Sequence, residues 1–174
     1  FLETHRYANL MGATMSFTKM EGTTVNIKDK IAYSALQNIQ SSMIEGHAAN
    51  NPAMGIALDK AIVAGGVLAH NLSGGQKDSA GNAINSEWVS AHMAAVPALV
   101  SEDIGMNAST PYVSKKNQDA LGNYANPDKI ATPDNLKFDE RMRTLFIGED
   151  SNTHVNNFLW AYNVDTKSLT RILS

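Results

Sequence analysis

Residues 134–173 read DNLKFDERMRTLFIGEDSNTHVNNFLWAYNVDTKSLTRIL, and this stretch decides the fold class. It contains four short runs of apolar and β-prone residues, which are separated by polar turns. The runs are DNLKFD, RMRTLFIGED, NNFLWAYNVD and SLTRIL. Four short strands in about 45 residues are typical of one β-propeller blade, whose repeat is roughly 40–50 residues. The sequence therefore predicts a four-stranded blade over residues 126–174.

The start of the chain resembles a hairpin. Residues 23–36 read TTVNIKDKIAYSAL, a strand, a polar turn and a second strand. We expect residues 1–39 to supply part of another blade.

Residues 40–125, between these regions, are rich in Ala, Ser, Asn and Gly and form an insertion-rich region. The spacing of Leu36, Ile39, Met43 and Ile44 predicts a short helix that ends at Gly46. A second helical piece is expected over residues 58–64, a strand over 67–72, and a short helix over 86–97. Residues 101–126 read as a loop.

The chain is thus predicted to be a single, mainly β domain over residues 1–174. It is expected to be a partial propeller of two to three blades with helical and irregular insertions. A closed propeller needs at least four blades, or about 160 residues without insertions. Because the chain begins at Phe1 and has long insertions, we expect a fragment whose open sheet edges favour self-association.

Composition excludes several classes of protein. The formal net charge is −3 and no basic stripe is present, so duplex nucleic-acid binding is not expected. No apolar run approaches the roughly 20 residues of a membrane-spanning helix. The chain has no cysteine, which excludes disulfides and thiolate metal sites within it.

Carboxylates and amides at strand ends are the candidate binding groups. Glu21 precedes a glycine after a β-prone run, and Glu149 and Asp150 directly follow an apolar strand. With the amide oxygens of Asn135 and Asn157, such carboxylates suit Ca²⁺, which takes six to eight oxygen ligands. The competing interpretation is that each is an ordinary turn residue. His154 lies in no zinc-type spacing, and Arg6 and Arg171 suit either phosphate or plain surface charge.

Two segments resemble a known family. ATMSFTKMEGTTVN (residues 13–26) and the long stretch from NPDKIATPDNL to FLWAYNV (residues 126–164) are similar to the PhoX family of secreted bacterial alkaline phosphatases. The resemblance implies a propeller that holds calcium and iron in its central channel and hydrolyses phosphomonoesters. It also implies a periplasmic or secreted location.

By the same resemblance, Glu21 and Glu149 are metal ligands. Asp150 and Asn157 are weaker candidates for positioning groups, and Arg6 lies in a segment that would support the acidic cluster. The resemblance also implies that the complete protein is a longer chain, in which an upstream cysteine binds iron. This chain lacks that half, so we expect an incomplete site, no activity of the isolated chain, and unassigned catalytic residues.

Two alternatives remain open. The TPDNL segment is reminiscent of calcium-holding propellers that hydrolyse lactones. Alternatively, the chain is a non-catalytic scaffold module, in which the acidic residues merely flank strands.

Overall fold

The computed structural model describes residues 3–104 and 118–174. Its strands form two four-stranded antiparallel sheets, each with its strands in chain order. The first sheet contains β1 (Met20–Asn26), β2 (Ile31–Leu36), β3 (Gly66–Ser73) and β4 (Val89–Val100). The second contains β5 (Pro133–Asp139), β6 (Thr144–Glu149), β7 (Leu159–Asn163) and β8 (Leu169–Leu173). The mainly β class, the hairpin and the four-stranded sheet after residue 126 are confirmed.

Helical structure is sparse in these residues. It comprises α1 (Thr4–Leu10) and two 3₁₀ turns, Ser41–Met43 and Pro52–Met54. Over the same described ranges, no helix has the length and apolar character needed to cross a membrane.

Three predicted helices in the central region were wrong. Residues 89–100 form the long strand β4, which pairs with β3. Residues 58–64 contain only bridge pairs, and the helix expected over 36–44 is reduced to the single 3₁₀ turn. In each case pairing with a distant strand or loop overrides the local preference. Residues 105–117 of the predicted loop lie outside the described residues.

The two sheets pack against each other through one apolar core. β1 lies beside β5, and the Phe138 N–H donates to Thr24 Oγ1 over 3.1 Å. Behind this contact, buried apolar side chains of both sheets form one cluster: Tyr33, Val67, Leu99, Ile130, Phe138, Leu145, Ile147, Phe158, Trp160, Tyr162 and Val164. A smaller cluster of Leu36, Ile39, Met43 and Leu68 lies under the 39–62 loops. The strand ends are thereby held in fixed positions.

Three hairpin turns share one local design. In each, an Asn or Asp side-chain oxygen accepts from the backbone N–H three residues later, and the residue after that has a left-handed φ. The pairs are Asn26 with Lys30, Asp139 with Arg143, and Asn163 with Lys167. A side chain that mimics a backbone turn acceptor explains how non-glycine residues tolerate this conformation.

Arg143 joins these three turns at one end of the molecule. Its guanidinium donates to Asp165 at 3.1 Å, to the Asn26 side chain at 3.2 Å and to Asp29. The side-chain hydrogen bonds from Arg143 lower the pKa of Asp29 and of Asp165. Because both sheets contribute a partner, Arg143 fastens the two sheets together.

We expect Arg143→Gln to reduce the amount by which the free energy of unfolding at pH 6 exceeds that at pH 2.5. Asp29 and Asp165 have lowered pKa values in the fold, so their contribution is complete above the unfolded value near 3.8 and is lost as pH falls below it. In urea unfolding from pH 6 to pH 2.5, the difference between wild type and Arg143→Gln should therefore shrink as the pH falls.

The matched control is Arg141→Gln, two residues away and exposed. It should follow the wild-type pH dependence throughout. A constant difference between wild type and Arg143→Gln across the whole pH range would contradict the assignment of these ion pairs.

Candidate functional site

The candidate site lies at the end of the sheets opposite to Arg143. At this end β1 and β5 begin, and β2 and β6 finish. We call it the Glu149 end, and define it by residues 19–22, 36–37, 64–66, 131–135 and 149–150. Four of the acidic or amide residues singled out from the sequence lie in it: Glu21, Asn135, Glu149 and Asp150.

Glu149 is the most strongly held of them. Its Oε1 accepts from Trp160 Nε1 at 2.7 Å and from the Ala131 N–H at 2.8 Å. Its Oε2 accepts from His154 Nδ1 at 3.0 Å and from the Phe158 N–H at 3.1 Å. The Glu149 and His154 side chains have no solvent exposure. Four protein groups therefore hydrogen-bond to the carboxyl oxygens, as a buried polar group requires.

His154 completes this buried centre. Its Nε2 lies 3.2 Å from the carbonyl oxygen of Asn126. The ring also packs at a tilt against Phe158, with centroids 4.9 Å apart. His154 thus ties the 150–158 loop to residues 126–131. The buried His154 ring therefore positions this loop.

Glu21 has the opposite character. It is half-buried on β1, and none of the described residues forms a hydrogen bond or ion pair with its carboxylate. Its neighbour Gly22 packs tightly on β5, because a Cβ added there would lie 2.5 Å from the Asp134 carbonyl oxygen. Glu21 is therefore held close to the beginning of β5, next to Asp134 and Asn135, with its oxygens uncommitted.

Asp150 is the second uncommitted carboxylate at the Glu149 end. Its backbone is fixed, since its N–H donates to the Thr132 carbonyl at 3.2 Å and its carbonyl accepts from Gln37 Nε2 at 3.4 Å. The side chain is exposed and has no partner among the described residues. An anchored backbone with a free carboxylate is a suitable arrangement for a ligand group.

Thr132 is a residue that the sequence did not signal. It is 1% exposed, and its Oγ1 is buried without a hydrogen-bond partner. Its φ is +42°, which is rare for a β-branched residue and costs conformational energy. A buried hydroxyl without a protein partner is uncommon, and such groups occur where the backbone is strained or where a water or an ion binds.

Of the other residues singled out from the sequence, Asn135 also lies at the Glu149 end, whereas Asn157, Arg6 and Arg171 lie elsewhere. Asn157 Oδ1 accepts from the Ser151 N–H at 2.6 Å and so fixes the 150–157 loop. Asn135 is exposed on β5. Arg6, in α1, pairs with Glu3 at 3.2 Å, and that ion pair is exposed. Arg171 lies over the Phe158 ring at 4.6 Å.

Within residues 3–104 and 118–174, no three His, Cys, Asp or Glu side chains gather as a ready metal cluster. Comparisons of the chain with protein-family models, with curated proteins and with solved structures find no match.

Proposed function

We propose that this chain is part of a metal-dependent phosphatase that hydrolyses phosphomonoesters and is exported to the periplasm or the medium. In this proposal the two sheets are consecutive blades of a propeller, and an upstream part of the protein supplies the other blades. Each blade would begin at the channel, where β1 and β5 lie side by side. The Glu149 end would then carry oxygen ligands for calcium, with iron held largely by the upstream part.

The observation that carries this proposal is the set of free oxygens at the Glu149 end. The Glu21 and Asp150 carboxylates have no protein partner among the described residues, and Thr132 Oγ1 is buried and unpaired. Hard cations such as Ca²⁺ select carboxylate, hydroxyl and carbonyl oxygens. Three such groups on short, well-anchored segments are an incomplete ligand set of the right chemical type.

The reaction class explains why such a site would be acidic. A phosphomonoester dianion repels an incoming nucleophile, and multivalent cations neutralise that charge and orient the ester. Acidic side chains are then needed to hold the cations. Uncommitted glutamate and aspartate side chains therefore suit a metal-assisted phosphatase better than an arginine-based one.

Glu149 takes a different part in this proposal from Glu21. A cation could reach Glu149 only by displacing one of its four donors, among them His154 and Trp160. We therefore assign cation binding to Glu21 and Asp150, and assign Glu149 the task of holding the 150–158 loop so that Asp150 is correctly placed.

We expect Glu21→Gln to weaken calcium binding and turnover. The amide keeps the shape but removes the charge that attracts the cation. In the longer protein that includes the upstream blades, turnover of p-nitrophenyl phosphate should fall by more than the roughly 10–100-fold seen for outer-sphere partners of a metal. In this chain alone, the rise in melting temperature with millimolar CaCl₂ should disappear. Calcium raises the melting temperature only when it binds to the folded chain.

The matched control is Glu45→Gln, an exposed carboxylate outside the Glu149 end. It should keep wild-type turnover and the calcium-dependent shift. Unchanged turnover in both Glu21→Gln and Asp150→Asn would refute the ligand assignment. Turnover of lactones but not of phosphomonoesters would favour the lactonase alternative, and no calcium effect in any form would favour a scaffold.

A further inference from the structure

A cavity of about 370 Å³ lies between the first sheet and the loop that leads into the second. Its lining mixes polar and charged residues with four apolar ones, Ala61, Ile62, Pro97 and Val100. Small-molecule sites of roughly 300–1,000 Å³ combine apolar side chains with a few polar groups that fix the orientation of the ligand. The volume places this cavity at the small end of that range.

The acidic groups of the cavity are already engaged. Glu102 pairs with Lys129 at 2.7 Å. Both oxygens of Asp103 accept backbone N–H groups, from Val63 at 2.6 Å and from Ala64 at 2.9 Å. Asp103 thus braces the cavity wall, with one backbone donor on each of its oxygens.

Lys60 is the one lining cation that no described residue pairs with. Its ammonium offers three donors and no acceptor. The cavity is therefore lined by one unpaired cation together with the apolar side chains of Ile62, Pro97 and Val100. Such a pair of features matches a ligand with one negative group and a short hydrocarbon body.

The ligand charge is limited to about one. A dianion would meet a single free ammonium, and its second charge would lie near the Glu102 and Asp103 carboxylates that also line the cavity. Like charges at short range are mutually unfavourable. A monoanionic carboxylate avoids this conflict, whereas a phosphate dianion does not.

We propose that this cavity binds a small monocarboxylate, with the carboxylate on Lys60 and the hydrocarbon body against Ile62, Pro97 and Val100. This site is separate from the oxygens of the Glu149 end and does not depend on the proposed function.

Hexanoate titrated into this chain by isothermal calorimetry tests the proposal. Lys60→Gln should weaken hexanoate binding by about tenfold or more, the loss expected for a hydrogen bond between charged groups. Lys77→Gln, another exposed lysine, should bind hexanoate as wild type does. Hexanol and inorganic phosphate should bind wild type at least tenfold more weakly than hexanoate.

Three results would overturn the proposal. The first is no detectable hexanoate binding by the wild-type chain at millimolar concentration. The second is equal hexanoate affinity in wild type and Lys60→Gln. The third is binding of phosphate or hexanol as tight as that of hexanoate, which would assign the cavity to a dianion or to apolar contact alone.

Discussion

Glu149→Ala should lower the free energy of unfolding by about 3–5 kcal/mol, because it removes the shared acceptor of four buried hydrogen bonds. The substitution leaves His154 Nδ1, Trp160 Nε1 and two backbone N–H groups without their acceptor in a region closed to solvent. Each orphaned donor adds its own desolvation cost. Urea unfolding followed by tryptophan fluorescence would measure the loss of stability. A variant that is already unfolded at 25 °C would represent the largest loss.

Two further variants make the result specific. Glu149→Gln keeps one carbonyl oxygen and should be destabilised less than Glu149→Ala. Glu45→Ala removes an exposed carboxylate and should stay within about 0.5 kcal/mol of wild type. If Glu149→Ala were as stable as Glu45→Ala, the buried Glu149–His154 centre would not be a major stabilising element.

Gly65→Ala should be the second strongly destabilising substitution, at roughly 3–5 kcal/mol. Gly65 has a φ of +74°, and a Cβ added there would lie 2.2 Å from the Leu36 carbonyl oxygen and 2.3 Å from that of Gln37. Both atoms belong to the backbone at the end of β2, so neither can move without disturbing the Glu149 end.

Gly75→Ala is the matched control for this experiment. Gly75 has nearly the same φ, +75°, but nothing lies within 4 Å of an added Cβ. Its substitution should cost only the left-handed backbone penalty, about 1–2 kcal/mol. Equal losses at Gly65 and Gly75 in urea unfolding would show that φ alone decides the cost and that the contact with β2 is unimportant.

The second sheet was predictable because its signals are local. In β6 and β7, apolar side chains such as Leu145, Ile147, Trp160 and Tyr162 recur at alternate positions and face the core. Polar turns separate the strands, and an Asn or Asp followed four residues later by Lys or Arg marks two of them, at residues 139–143 and 163–167. That spacing would by itself have located these turns in the sequence.

The first sheet was harder to predict, because its outer half depends on pairing. β4 is rich in alanine and mostly exposed, so neither propensity nor alternation reveals a strand there. Its conformation follows from hydrogen bonding to β3. Leu36, Ile39 and Met43 have helical spacing and do share a buried cluster, but they reach it from a strand end, a bridge and a 3₁₀ turn. The spacing identified which residues lie in the core but not the secondary structure in which they lie.

By itself, the sequence determined the β class, the hairpin at residues 23–36 and the four strands after residue 133, since alternation and turn chemistry act between near neighbours. Only the tertiary structure decided which carboxylates are free. Glu21 and Glu149 look alike in sequence, each beside a glycine at a strand end. Packing surrounds Glu149 with donors from residues 131, 154, 158 and 160 and leaves Glu21 with none among the described residues. The state of a carboxylate depends on donors brought close by the fold, and the spacing of residues along the chain does not encode them.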